Sequence, residues 1–166
     1  MSLKSLVLAG AVALLPTLAL AQMQVDDPYA RAGSPMAQSG AAFMAITNAT
    51  GTDDRLVGAT SDIAERAELH THVQTAEGVM QMREVEGGIP LPAGETVTLE
   101  RGGLHVMFLG LTRPMLQGET FELTLEFETA PPLTITVPVD LERMPGQPGM
   151  GMHHGHGHGA MHGTGG

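Results

Sequence analysis

The sequence contains no cysteine and no tryptophan, and it has one tyrosine and four phenylalanines. Without cysteine there are no disulfides to staple the fold, so stability must come from a packed core. Thiol redox chemistry, thiolate zinc sites and a cysteine-ligated blue-copper centre are excluded as well. Lysine occurs once, at Lys4. Beyond it, seven arginines face eighteen Asp and Glu residues, a net charge of −11 with histidine neutral. That balance lacks the basic surface that nucleic acid or an anionic membrane would need. No segment carries a 3.6-residue apolar period over a helical length, which argues against a helical bundle. The one long apolar run, Leu6 to Leu20, is interrupted by Pro16 and is too short for a comfortable membrane span.

That run has another reading. Lys4 precedes it and Ala19-Leu20-Ala21 follows as a small-x-small cleavage site, the pattern of a secretory signal. Residues 1–21 are therefore expected to be a signal peptide cleaved after Ala21, leaving a mature chain that starts at Gln22 and is exported. No Cys follows the apolar run, so a lipid anchor is not expected.

Short segments rich in branched and aromatic residues then alternate with turn signals. Ala41–Thr47 reads as a strand ended by Asn48-Ala49-Thr50-Gly51, and Arg55–Ser61 as another. Arg66–Val73 and Val79–Val85 flank a turn at Glu77-Gly78, and Thr96–Glu100 is a short strand. Thr120–Phe127 alternates cleanly, with Phe121, Leu123, Leu125 and Phe127 on one face, and Leu133–Val139 is a last strand. Gln22–Gly40 reads as a turn-rich entry with a short strand at Tyr29–Arg31, and Pro90–Gly94 as a rigid loop. The pattern predicts an all-β, Greek-key sandwich or barrel over residues 22–142. From Arg143 the sequence turns to Gly, His, Met and Pro. It lacks the apolar content to offset its ordering entropy and is expected to be a disordered tail, 143–166.

The histidines and methionines fall in a pattern. Gly103–Leu109 places Leu104, Val106 and Phe108 on one strand face and His105 with Met107 on the other. Glu68, His70 and His72 share a face of their strand, as do Met80 and Met82 of theirs. Antiparallel pairing about Glu77-Gly78 brings these side chains to one end of a sheet, where His105 and Met107 can join them. A lone histidine in an apolar run is usually a hydrogen-bonded core residue, but three strands converging with His and Met suggest a site of two imidazoles and two thioethers. Thioether sulfur is neutral and soft. It binds zinc, calcium and magnesium poorly and favours Cu(I). His70 or His72, and Met82 or Met80, remain alternatives on this reading. The tail adds His153, His154, His156, His158 and His162, with Met150, Met152 and Met161, a loose donor set suited to Cu(II), Ni(II) or Zn(II).

Several separated motifs resemble one family. Glu68-Leu69-His70, Gly78-Val79-Met80-Gln81-Met82-Arg83, Ile89-Pro90-Leu91-Pro92-Ala93-Gly94 and Gly102-Gly103-Leu104-His105-Val106-Met107 are similar to the PCu(A)C periplasmic copper chaperones, as are Ala42–Asn48 and Asp54–Ala59. The resemblance spans about Val25 to Val139. It implies a cupredoxin-like β-sandwich, Cu(I) bound near the surface, and delivery of copper to a copper-accepting protein of cytochrome c oxidase assembly. The family's motif is a His, ten residues, a Met, twenty-one residues, then His-x-Met; here the intervals are eleven, from His70 to Met82, and twenty-two, from Met82 to His105. Carried over by position, the resemblance implies His70, Met82, His105 and Met107 as the ligands.

Other classes are weighed against this. A periplasmic copper buffer or scavenger would use the same residues. A copper oxidase with an N-terminal histidine brace would need His where Gln22 stands, and a blue-copper electron carrier would need the missing cysteine. The expectation is a copper-binding, copper-delivering protein that is not an enzyme, with no nucleic-acid partner and no membrane span in its mature form.

Overall fold

A computed structural model describes residues 22–147. Residues 1–21, expected to be a signal peptide, and the His/Met-rich part of the tail lie outside the described residues. Ten strands follow one another: β1 (Met23–Ala32), β2 (Ser39–Asn48), β3 (Asp54–Thr60), β4 (Ala64–Gln74), β5 (Met80–Glu84), β6 (Ile89–Leu91), β7 (Thr96–Leu99), β8 (His105–Leu111), β9 (Thr120–Phe127) and β10 (Leu133–Pro138). There is no helix among the described residues, and none long and apolar enough to cross a membrane.

The strands form one sheet in the order β1-β2-β8-β4-β3-β9-β10, with β5 added to β4, β6 to β3 and β7 to β2. Placing β8 between β2 and β4 is the long-range crossing expected of a Greek key. The sheet curls until its ends meet. Ala30 of β1 bridges Val139 beyond β10, and the Asp140 amide donates to the Ala30 carbonyl at 2.8 Å. The result is a nearly closed, all-β barrel of the kind the alternation predicts, and it fits the cupredoxin-like fold that the resemblance implies.

Inside lie Ile46, Leu56, Leu69, Ile89, Leu91, Leu99, Val106, Phe108, Leu123, Leu125 and Val137, each almost fully buried. Burying such a side chain contributes about 1.5–3 kcal/mol, and this core does the work that disulfides would do in a smaller exported domain. The alternation in β8 is realised as read: Val106 and Phe108 are fully buried in the core, while His105 and Met107 project from the opposite face. Leu69 of β4 joins the core across from Val106, which turns Glu68, His70 and His72 outward.

Two elements differ from expectation. The entry segment is a full strand, β1, because a register shift between Asp26 and Tyr29 lets it pair with β2 along both halves despite Pro28. Asp27 takes a positive φ of 50° at that bulge. The proline loop contains β6. Pro90 sits exposed in the middle while Ile89 and Leu91 turn into the core, the edge position a residue without an N–H can occupy.

Candidate metal centre

Three strands build the site. β4 runs antiparallel to β8 with His70 opposite His105 and Glu68 opposite Met107. On its free end β4 also pairs with β5, with His72 opposite Met82 and Gln74 opposite Met80. The five-residue turn between them is closed by the Thr75 amide on the Val79 carbonyl at 2.8 Å, with Gly78 at φ 82°. Only glycine adopts that conformation without strain. β2 lies on the other side of β8, with Ala41 opposite Met107.

Outside the core, these side chains line an open pocket of 370 Å³. Its walls include His72, Met82, His105, Met107 and Phe43, with Arg31 and Arg101 at the rim. Of the four residues expected as ligands, Met82, His105 and Met107 are therefore brought together on one pocket. His70 does not line it. It stands beside His105, ring centroids 5.9 Å apart, while His72 approaches His105 to 5.3 Å from the pocket side. Met82 is 45 % exposed and Met80, which does not line the pocket, is 54 % exposed.

The protons on two imidazoles follow from their partners. His105 is 2 % exposed, and its Nδ1 lies 3.0 Å from the Gly103 carbonyl. A carbonyl can only accept, so Nδ1 carries the hydrogen and Nε2 keeps the lone pair. Burial, then the neighbouring His72 and His70, push the His105 pKa down, against the raising effect of that carbonyl, which favours the neutral ring. His70 is held by its other nitrogen: Nε2 donates to the Glu68 carboxylate at 3.0 Å, and Arg66 in turn holds Glu68 at 3.1 Å. In the neutral ring that leaves the lone pair on His70 Nδ1, which is buried and has no hydrogen-bond partner among the described residues. An unmet buried acceptor costs about 1–3 kcal/mol. A carboxylate behind an imidazole with a free lone pair in front is the arrangement that orients metal-binding histidines. His72 is tied more loosely, its Nδ1 3.5 Å from the same Gly103 carbonyl.

No cluster of three or more His, Cys, Asp or Glu side chains among the described residues is placed to hold a metal. The thioethers of Met82 and Met107 are further donors on the same pocket, and they favour soft ions.

Comparison with known proteins agrees with the architecture. The sequence model of the LpqE-like family matches residues 23–139. The chain belongs to this family. The match takes in every strand. A Leifsonia xyli subsp. xyli protein named as a lipoprotein, Lxx21020, is 36 % identical over 118 residues, covering 70 % of this chain and 69 % of that one. Among solved structures, Cu(I)-DR1885 from Deinococcus radiodurans is 33 % identical with a TM-score of 0.58, covering 79 % of this chain and 87 % of that chain. The copper-bound PCuAC domain from PmoF2 is 25 % identical with a TM-score of 0.60, covering 74 % and 96 %. The fold is that of PCuAC domains, as the motifs around His70, Met82 and His105 lead one to expect.

Some participants were not legible beforehand. Glu68 was visible as a residue sharing a face with His70, and that spacing was the available signal for its role. Arg31 and Arg101 carry no motif, and Phe43 stood out only as part of the Ala42–Asn48 segment; that all three line the pocket is revealed by the fold.

Proposed function

We propose that this protein is an exported copper chaperone that binds Cu(I) through Met82, His105, Met107 and His70. The observation that carries the reading is the pair of oriented imidazoles on adjacent strands, one with a buried nitrogen that has no partner among the described residues, beside two thioethers on one pocket. Four neutral donors leave the site a single positive charge, which can sit near the surface without a compensating carboxylate. Its structural neighbours include a copper-bound PCuAC domain and DR1885 in its Cu(I) form. His70 is the better anchored imidazole. His72, on the pocket wall with a long hydrogen bond, suits a ligand that comes and goes during transfer.

Export follows from the signal-like N-terminus and fits the lipoprotein naming of the relatives. Delivery to a copper-accepting protein of cytochrome c oxidase assembly is the destination implied by the PCu(A)C resemblance. Residues 150–162 of the tail supply His and Met donors that would capture further copper, as Cu(II). No turnover chemistry is assigned to the pocket. Storage of periplasmic copper for tolerance is the second reading, since it would use the same donors.

The test is a Cu(I) competition titration of the native chain against His105→Ala, Met107→Leu, His70→Ala and His72→Ala. Tight Cu(I) binding that survives the first two changes overturns the site. A larger loss from His72→Ala than from His70→Ala exchanges their roles. Transfer to a purified apo-acceptor separates delivery from storage.

A further inference from the structure

The metal pocket has two unlike sides. From β4, β5 and β8 come His72, Met82, His105 and Met107. From the end of β1, the start of β2 and the turn before β8 come Arg31 and Arg101, set among Gly33, Gly40, Ala41 and Gly102. This second side offers no soft donor. The whole pocket measures 370 Å³, within the range of small-molecule sites, roughly 300–1,000 Å³. A single ion fills far less.

The two arginines converge on one point. Each donates from a terminal nitrogen to the Arg143 carbonyl, at 3.4 Å. A normal N–H···O bond spans about 2.7–3.2 Å, so a neutral oxygen holds the two guanidiniums only loosely. Neither forms an ion pair with a carboxylate among the described residues, although the chain is strongly acidic. Arg55, Arg66, Arg113 and Arg143, by contrast, each meet an Asp or Glu. Two guanidiniums without counter-charge at the mouth of a cation site oppose the entry of a bare ion. They attract an anion instead, and their planar fork matches a carboxylate.

We propose that the arginine side of the pocket is an anion subsite, where Arg31 and Arg101 hold the carboxylate of a small chelate that still carries Cu(I). Copper then arrives as an anionic complex rather than as a bare ion. This rests on the reading of the pocket as a Cu(I) site. The carboxylate displaces the Arg143 carbonyl as acceptor, because a charge-assisted bond is roughly twice as strong as a neutral one. Held there, the chelate presents its metal to the thioethers and imidazoles across the pocket. Cu(I) moves by ligand exchange: a bond from the chelate breaks as one from Met82, Met107 or an imidazole forms. The ion stays Cu(I), no electron is transferred, and the emptied chelate leaves with its carboxylate. The volume of the pocket favours a small occupant over the acidic face of a protein, which would meet only the rim.

The experiment offers the full chain Cu(I) in two coloured complexes: the anionic one with bicinchoninate, which carries carboxylates, and the cationic one with neocuproine, which carries none. Loss of colour reads uptake, and the NMR resonances of His105 and Met107 read arrival in the pocket. Uptake from the bicinchoninate complex should saturate as its concentration rises, because a held complex precedes transfer. The ratio of the anionic to the cationic uptake rate should fall about tenfold when Arg31→Gln and Arg101→Gln are combined. Arg101→Gln alone should lower it several-fold; Arg101 is exposed in a turn, so its loss spares the core. Arg55→Gln combined with Arg113→Gln removes the same charge elsewhere and should leave the ratio in place. A ratio unchanged by the Arg31 and Arg101 changes overturns the subsite. An equal fall in the Arg55 and Arg113 variant, or uptake that never saturates, overturns it too. In each of those cases the Cu(I) site stands. No loss of colour, or colour lost with the His105 and Met107 resonances unmoved, overturns the Cu(I) reading itself and the subsite with it.

Discussion

The two ends of the barrel treat buried polar groups in opposite ways. At the end away from the pocket, Asn48 is fully buried and satisfied. Its Nδ2 donates to the Leu91 and Thr52 carbonyls at 2.7 Å each, and its Oδ1 accepts from the Thr50 amide and hydroxyl at 3.0 and 2.7 Å. Beside it, the Asp54 carboxylate accepts from the amides of Arg55, Thr129 and Ala130. At the pocket end, His70 and His105 each spend one nitrogen on the fold and hold the other back. The first end uses its polar atoms to lock loops together. The second withholds lone pairs from the protein, which is what a ligand site requires and a purely structural site avoids.

This contrast can be broken by experiment, beginning where the effect is greatest. Met107→Leu keeps apolar volume and removes the sulfur. Because outer-sphere changes already cost 10–100-fold in metal affinity, loss of a ligand should lower Cu(I) affinity by more than about 100-fold, with little change in the denaturation midpoint. Competition titration beside urea unfolding checks both halves. Asn48→Ala should do the converse. Stranding the Leu91 and Thr52 carbonyls should cost about 2–4 kcal/mol of stability, while Cu(I) affinity of the folded protein stays within about twofold, as expected for distant sites. Coupled losses in either variant would mean that the ends are not independent.

Glu68→Ala probes the orienting carboxylate. Cu(I) affinity should fall by about tenfold, and His70 should lose its tautomer preference in histidine-selective NMR. An unchanged tautomer would remove Glu68 from the site.

Acidification should weaken the two ends in sequence. The His105 pKa is lowered in the fold, so below the ordinary histidine value of 6.5 the unfolded chain takes up a proton that the folded chain refuses. Stability of the metal-free protein should therefore begin to fall as pH drops below that value. Burial would raise the Asp54 pKa, but the main-chain amides of Arg55, Ala130, Thr129 and Glu128 outweigh it and hold the carboxyl below its ordinary 3.8. Its contribution is present above 3.8 and is lost only as pH falls through the lower folded value. Removing the first phase with His105→Ala while the second persists is the check, read by thermal unfolding across pH.

The alternation in β4, β8 and β9 was legible in the sequence because each strand buries one face and exposes the other, so Leu69, Val106 and Leu123 announce their side of the sheet. β1 was not, because its pairing restarts across the Asp26–Tyr29 bulge and neither half is long enough to show a period. β6 was hidden behind Pro90. Within the site, His105 and Met107 could be paired by spacing alone. Choosing between His70 and His72 could not be done that way, since both share a face and what distinguishes them is Glu68 behind one and the pocket in front of the other. Arg143 read as the start of a disordered, His/Met-rich tail; its anchoring to Asp27 and Tyr29 spans more than a hundred residues of sequence.

One feature of β5 bears on how a cargo could leave. This strand carries Met82, pairs with β4 alone, and exposes all five of its residues. It can fray without disturbing the barrel, because nothing in the core rests on it. Local opening of such an element requires far less free energy than unfolding of the whole domain. Deuterium should enter the amides of Met80–Glu84 well before those of Val106 and Phe108. The soft donor on the swinging edge would then let go first, leaving the imidazoles on the fixed strands to present the ion to whatever takes it next.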